Sequence, residues 1–209
     1  MTTLARRERH ALCDLVLLLG ESAPTLCGEW AAKDLVAHLL VRENSAVGVV
    51  GIFVPPLSRL TDAAMARASR RDFSVMVSKL RDPGLTVYRL RPVEVLGNTL
   101  EYYVHHEDLR RAQPEWEPRT LSAGDERMIW QAIKVIGLAL ARPAGVPLRI
   151  RRSEVGSAAT LRRGSDPVTV TGRPSELALF LYGREQVRDL EFDGPTGKVS
   201  KLRGADLGL

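Results

Sequence analysis

The 209-residue chain has only two cysteines, Cys13 and Cys27. That excludes a disulfide framework, a CxxC redox pair and the closed, cysteine-rich ligand sets of structural zinc sites. Two reduced thiols, at least one of them buried, are expected, and their spacing puts no base beside either. Long apolar runs are lacking too. The longest strongly apolar stretch, AVGVVGIFVPPL at 46–57, is broken by glycine and proline and is too short to span a bilayer. The first twenty residues begin basic and carry leucines, but Glu8, His10 and Asp14 interrupt them and no small-residue cleavage site follows. They read as a helix rather than a signal peptide. With no lipidation motif either, a cytoplasmic location and no membrane partner are expected. The net charge of +5 comes without a dense Lys/Arg run or an aromatic-interleaved basic stripe, so nucleic acid is not an expected partner. Residues 1–140 carry 18 basic and 17 acidic residues, and 141–209 carry 12 and 8. The C-terminal excess suits a small anionic molecule. Internal repeats and low-complexity segments are absent from the sequence.

What is present is ordinary globular material, 44% hydrophobic and 26% charged, in a chain long enough to bury a substantial core. Leu4, Leu12, Leu15 and Leu19 predict an amphipathic helix over 4–19 that stops at Gly20. A second helix is predicted from about Trp30 to Ser45 and a third over 57–69. Asp72 is a suitable N-cap for FSVMVSKLR. Pro92 opens a long helix over about 92–112, closed by QPEWEP. Ser122 and Asp125 have capping-box spacing before a helix that runs to Pro143. The texture then changes. VPLRIRR, SAATLRR and PVTVTG alternate as strands do. PSELALFLYGR reads as a helix, VRDLEFDG as a strand, and KVSKLRGADLGL as a last helix or tail. The reading is a helical bundle over 1–143 and a small α+β domain over 144–209.

On the helix at 92–112, Glu94, Asn98, Glu101, His105 and Asp108 follow steps of four and three and form one polar stripe. Such a stripe either faces water or faces inward around something that satisfies it. Glu101 and His105, one turn apart, can aim a carboxylate oxygen and an imidazole nitrogen at one cation. His38 lies in the apolar run DLVAHLLV, with Asp34 one turn before it and Arg42 one turn after. Two polar rows on facing helices are how bundles build metal sites. His38, Glu101 and His105 give two nitrogens and one oxygen, the three-ligand form of a catalytic zinc site with a position left open. Nickel, cobalt or iron would also accept this set. His106 points about 100° away from His105 on a regular helix and should not share the metal. Asn98 and Asp108 are candidates to orient the ligands. His10 reads as a surface residue.

The stretch PTLCGEWAAKDLVAHLLVRE, followed later by EYYVHHEDLRRAQPEW, resembles the mycothiol-dependent maleylpyruvate isomerase family, within the DinB-like helical-bundle metalloproteins. The first pattern is carried by Trp30, Asp34, Leu35, His38 and Leu39, and the second by Glu101, His105, His106, Asp108 and Leu109. VTVTGRPSELALFLYGR is similar to that family's small C-terminal domain. The likeness spans nearly the whole chain. It implies a mostly α, DinB-like, up-down four-helix-type bundle followed by the α+β domain. It also implies a divalent metal, usually zinc, on His38, Glu101 and His105. The implied cosubstrate is a low-molecular-weight thiol, mycothiol, whose sulfur would approach the open metal position as a thiolate. In an isomerase the thiolate would add to an activated double bond, allow rotation and leave; in an S-transferase it would stay on the product. Arg42, Arg110 or Arg184 could hold the carboxylate of a small anionic substrate, with Arg184, in the family's Gly-Arg, favoured. Arg42, Asp108 and Arg184 are thus the candidate catalytic residues. A non-catalytic metal-binding protein on the same scaffold is the alternative, and on either reading a monomer or homodimer is expected. Two positions depart from the family pattern. Ala31 replaces a hydroxyl residue at the start of the second helix, a loss on the order of 1 kcal/mol of capping. CGEW reverses the usual order of the glycine and the residue before the tryptophan.

Overall fold

The computed structural model describes residues 2–44, 65, 67–84 and 91–208, and of 44 and 91–97 the backbone only. The chain packs as two compact units, Met1–Glu117 and Pro118–Leu209. The first is helical; the second combines helices with a four-stranded sheet. A mostly α fold with a C-terminal α+β part is therefore observed. Of the helix predicted at 57–69, residues 65, 67 and 68 are helical and the rest, apart from Ser69, lies outside the described residues. The 46–57 run and the side chain of Glu94 lie outside them too.

In the first unit α1 spans Leu4–Leu19. Thr3 caps its start by accepting from the Arg6 amide, and Gly20, at φ 90°, ends it. The second helix, α2, spans Ala32–Asn44. Asp72 Oδ1 accepts from the Val75 amide to start α3, Phe73–Arg81. The long α4 spans Arg91–Arg111. The α1 helix packs along α4, and both α1 and α2 pack against α3. Leu12, Val16, Leu35, Leu39, Met76 and Leu80 close a core that Tyr102 and Leu109 complete from α4. At roughly 1.5–3 kcal/mol for each large apolar side chain fully buried, this cluster is the main force that holds α2 and α4 in place.

In the second unit α5 spans Ala123–Leu140, capped by Ser122 Oγ accepting from the Asp125 amide. A boundary at 143 assigns this helix to the bundle, yet among the described residues it groups with the second unit and packs chiefly on α6 (Pro174–Leu181) and on β2 of the sheet (Ala158–Arg162). The approach is close at Gly137, where a Cβ would sit 2.9 Å from Leu161 Cδ2 and that side chain would have to shift. Strands β1 (Leu148–Arg152), β2 (Ala158–Arg162), β3 (Val168–Gly172) and β4 (Glu191–Asp193) lie in the order β2-β1-β3-β4. The β1–β2 and β3–β4 pairs are antiparallel and β1–β3 is parallel. A short helix, α7 (Thr196–Arg203), follows.

Candidate metal centre

The polar stripe of α4 faces inward. Asn98 and Asp108 are fully buried, and Glu101 and His105 are only 12% and 13% exposed at their side chains. The reading of this face as a solvated surface is overturned for its described members. Glu101 Oε1 is the point of convergence. His38 Nε2 lies 3.2 Å from it, His105 Nε2 3.4 Å and Arg42 Nε 3.3 Å. The donor atoms of His38, Glu101 and His105 all lie within 4.8 Å of one another.

These separations fit a metal. A tetrahedral ion bound at about 2.0–2.1 Å sets its ligand atoms about 3.3 Å apart, which is the spacing of Oε1 from both imidazole nitrogens. The donor chemistry fits as well, two imidazoles and a carboxylate. Burial alone would push the Glu101 carboxyl up. The Arg42 guanidinium and hydrogen bonds from His105 and His38 overcome it and hold the group well below the usual carboxylate range. Glu101 is therefore the anionic member of the set at neutral pH. On the outer side of His105, Nδ1 is 2.9 Å from Asp108 Oδ2, which keeps the proton on Nδ1 when the ring is neutral and so leaves Nε2 to coordinate in that form. The Trp30 ring stands against His38 at 5.1 Å between centroids and restrains its orientation.

A buried polar network supports the centre. Arg42 Nη1 donates to Asn98 Oδ1 at 2.8 Å, Asn98 Nδ2 donates to Glu43 Oε1 at 3.4 Å, and Glu43 pairs with Arg9, whose guanidinium lies over the Tyr102 ring. His106 takes no part in the centre. It is buried, with Nδ1 2.7 Å from Glu8 Oε2, and joins α4 to α1. His10 is exposed on α1.

Arg110 is paired with Glu107 at 3.0 Å. In the second unit, Arg184 donates to the Tyr182 carbonyl at 2.6 Å and lines a groove of about 700 Å³ with Arg188, Phe192 and Arg203. Gly183 is required by the backbone: its φ is 80°, and a Cβ would meet the Leu207 carbonyl oxygen at 2.3 Å. The amides of Gly183 and Arg184 close α6 on Phe180 O and Leu179 O. Helix termination is thus sufficient reason for the glycine of the Gly-Arg pair.

Sequence reasoning missed Cys27. Its Sγ lies 3.0 Å from Asp108 Oδ2 and 3.6 Å from His105 Nδ1. The loop before α2 folds back on the C-terminal half of α4, where the Leu26 amide donates to the Asp108 carbonyl at 3.1 Å. A turn closed by the Trp30 amide on Cys27 O places Gly28 at φ 62°, a conformation glycine adopts freely. That accounts for a glycine directly after the cysteine. Ala31 lacks a capping hydroxyl, but its amide donates to Asp34 Oδ2 at 3.1 Å, so the helix start keeps one side-chain cap.

No protein-family model and no curated protein matches this chain. Solved structures do. A crystal structure of the mycothiol-dependent maleylpyruvate isomerase superposes with a TM-score of 0.59 at 14% identity, over 92% of this chain and 96% of that chain. A crystal structure of a histidine-to-alanine mutant of that isomerase gives a TM-score of 0.58 at the same identity and coverage. The resemblance seen in the sequence motifs therefore holds across nearly the full length at the level of fold.

Proposed function

We propose that the chain is a divalent-metal-dependent enzyme, with zinc as the preferred ion, that uses a low-molecular-weight thiol such as mycothiol in isomerase or S-transferase chemistry on a small anionic substrate. On this reading the first unit is a DinB-like bundle. The observation that carries the proposal is the convergence of His38 Nε2 and His105 Nε2 on Glu101 Oε1, at 3.2 and 3.4 Å, near the edge length of a tetrahedral site. The fold shared with the isomerase supports the thiol part.

A metal held there would supply a Lewis acid that favours the thiolate form of a bound thiol at neutral pH. The protein's own groups prepare the site for it. Arg42 keeps Glu101 ionised and oriented. Asp108 retains the proton on Nδ1 of neutral His105 and so presents its Nε2 lone pair. Trp30 holds the His38 ring. A non-catalytic metal-binding role has one specific observation in its favour. Arg42, a substrate-binding candidate that lies at the centre, is buried and engaged with Glu101 and Asn98.

Calorimetric titration of mycothiol, with glutathione beside it, into the zinc-loaded protein separates the two readings. The enzyme reading predicts saturable binding of mycothiol that disappears in the metal-free protein. Metal loading without any thiol binding would leave the non-catalytic reading in its place.

A further inference from the structure

Asp108 receives two donors on one oxygen. His105 Nδ1 is 2.9 Å from Oδ2 and Cys27 Sγ is 3.0 Å from the same atom. The carboxylate is fully buried. The approach of Cys27 does not rest on the side chain alone, because the Leu26 amide binds the Asp108 carbonyl and pins the cysteine loop to α4. Backbone and side chain thus hold the same loop against the residue that orients a candidate ligand. The sulfur lies beyond the outer nitrogen of His105, whereas Glu101 lies on the Nε2 side.

Resting on the metal-centre reading above, we propose that Cys27 is a positioning residue of that centre: its S–H donates to Asp108 Oδ2 and fixes the carboxylate that orients His105, without binding the metal itself. A carboxylate that accepts from one donor can rotate about its side-chain torsions. One that accepts from an imidazole and a thiol on the same oxygen is restrained from both sides. Groups behind a metal ligand typically change affinity by about 10–100-fold when removed, and Cys27, one step further out, should lie at the low end. Serine can take over its role, because a hydroxyl donates to a carboxylate at least as well as a thiol.

The test uses the full chain with zinc and cobalt(II) as probes, in wild type, Cys27→Ala, Cys27→Ser and Asp108→Asn. The proposal predicts about tenfold weaker zinc binding in Cys27→Ala, most of it recovered in Cys27→Ser, and at least as large a loss in Asp108→Asn. The cobalt(II) protein should show ligand-field bands that shift in Cys27→Ala, and no intense near-ultraviolet sulfur-to-metal charge transfer in wild type. Unchanged or tightened affinity with unshifted bands in a folded Cys27→Ala protein overturns the proposal. So does a sulfur charge-transfer band in wild type, which would make Cys27 a ligand. Should Cys27→Ala fail to fold, Cys27→Ser carries the test, and a tenfold loss there overturns the donor role. Failure of the underlying reading looks different: wild type itself would bind neither ion.

Discussion

Metal binding at this centre should release a proton, because of how His105 is held. Burial alone would push its imidazole toward the neutral form. Hydrogen bonds with Asp108, Cys27 and Glu101 outweigh that and keep its pKa well above the ordinary 6.5 in the metal-free protein. Coordination needs neutral imidazole, so a metal must displace one proton from His105 at neutral pH. Below the raised value, each pH unit should weaken apparent affinity about tenfold, or about 1.4 kcal/mol. Zinc titrations in buffers of different ionisation enthalpy read the proton count directly: observed enthalpy should rise with buffer enthalpy at a slope of about one proton per metal. A slope near zero, with affinity flat between about pH 6 and 8, would refute the reasoning, since that range spans the ordinary imidazole value. Stability of the metal-free protein follows the same groups. His105, with its raised value, contributes fully below 6.5 and loses that contribution as pH rises through the raised value. Glu101, with its depressed value, contributes above 4.5 and loses it as pH falls through the depressed value.

Other outcomes test the frame around the centre. Gly183→Ala should destabilise by more than about 2 kcal/mol, because it combines a left-handed backbone with a clash against a main-chain oxygen, as a denaturant titration would show. Glu126 accepts from the Ser175 amide at 2.9 Å and its hydroxyl at 2.7 Å, bridging α5 to the start of α6. Glu126→Ala should therefore cost about 2–4 kcal/mol by leaving two buried donors unmet, and Glu126→Gln clearly less, in thermal unfolding. Cys13 is fully buried, and burial pushes its thiol up to about 12. A thiol reagent should leave it unlabelled in the folded chain and reach it on denaturation; equal labelling of both cysteines in the folded state would contradict this burial.

Much of the fold was legible because its signals are local. Gly20, Asp72 and Ser122 mark helix ends by turn and capping chemistry that operates within a few residues. The alternation of Leu148 and Ile150 with Arg149 and Arg151 likewise announced β1. The candidate ligands were legible for a related reason, since Glu101 and His105 share a helix and their spacing is fixed by 3.6 residues per turn. What the sequence left open depends on tertiary contact. Nothing local tells that α5 packs on α6 and β2, because an amphipathic helix only requires some apolar partner. Cys27 escaped for the same reason: it is 78 residues from His105 and 81 from Asp108, and only the folding back of its loop brings them together. The orientation of the polar stripe was ambiguous until its burial decided it.

On the proposed reading, His38, Glu101 and His105 hold a divalent metal. Elemental mass spectrometry of the purified chain, beside His38→Ala and Glu101→Ala, tests it most directly. About one divalent ion per chain is expected in the wild type, as befits a three-ligand site, with loss of that ion in both variants. A wild type that stays free of metal even after reconstitution, or variants that keep it, would rule out these three residues as the ligands.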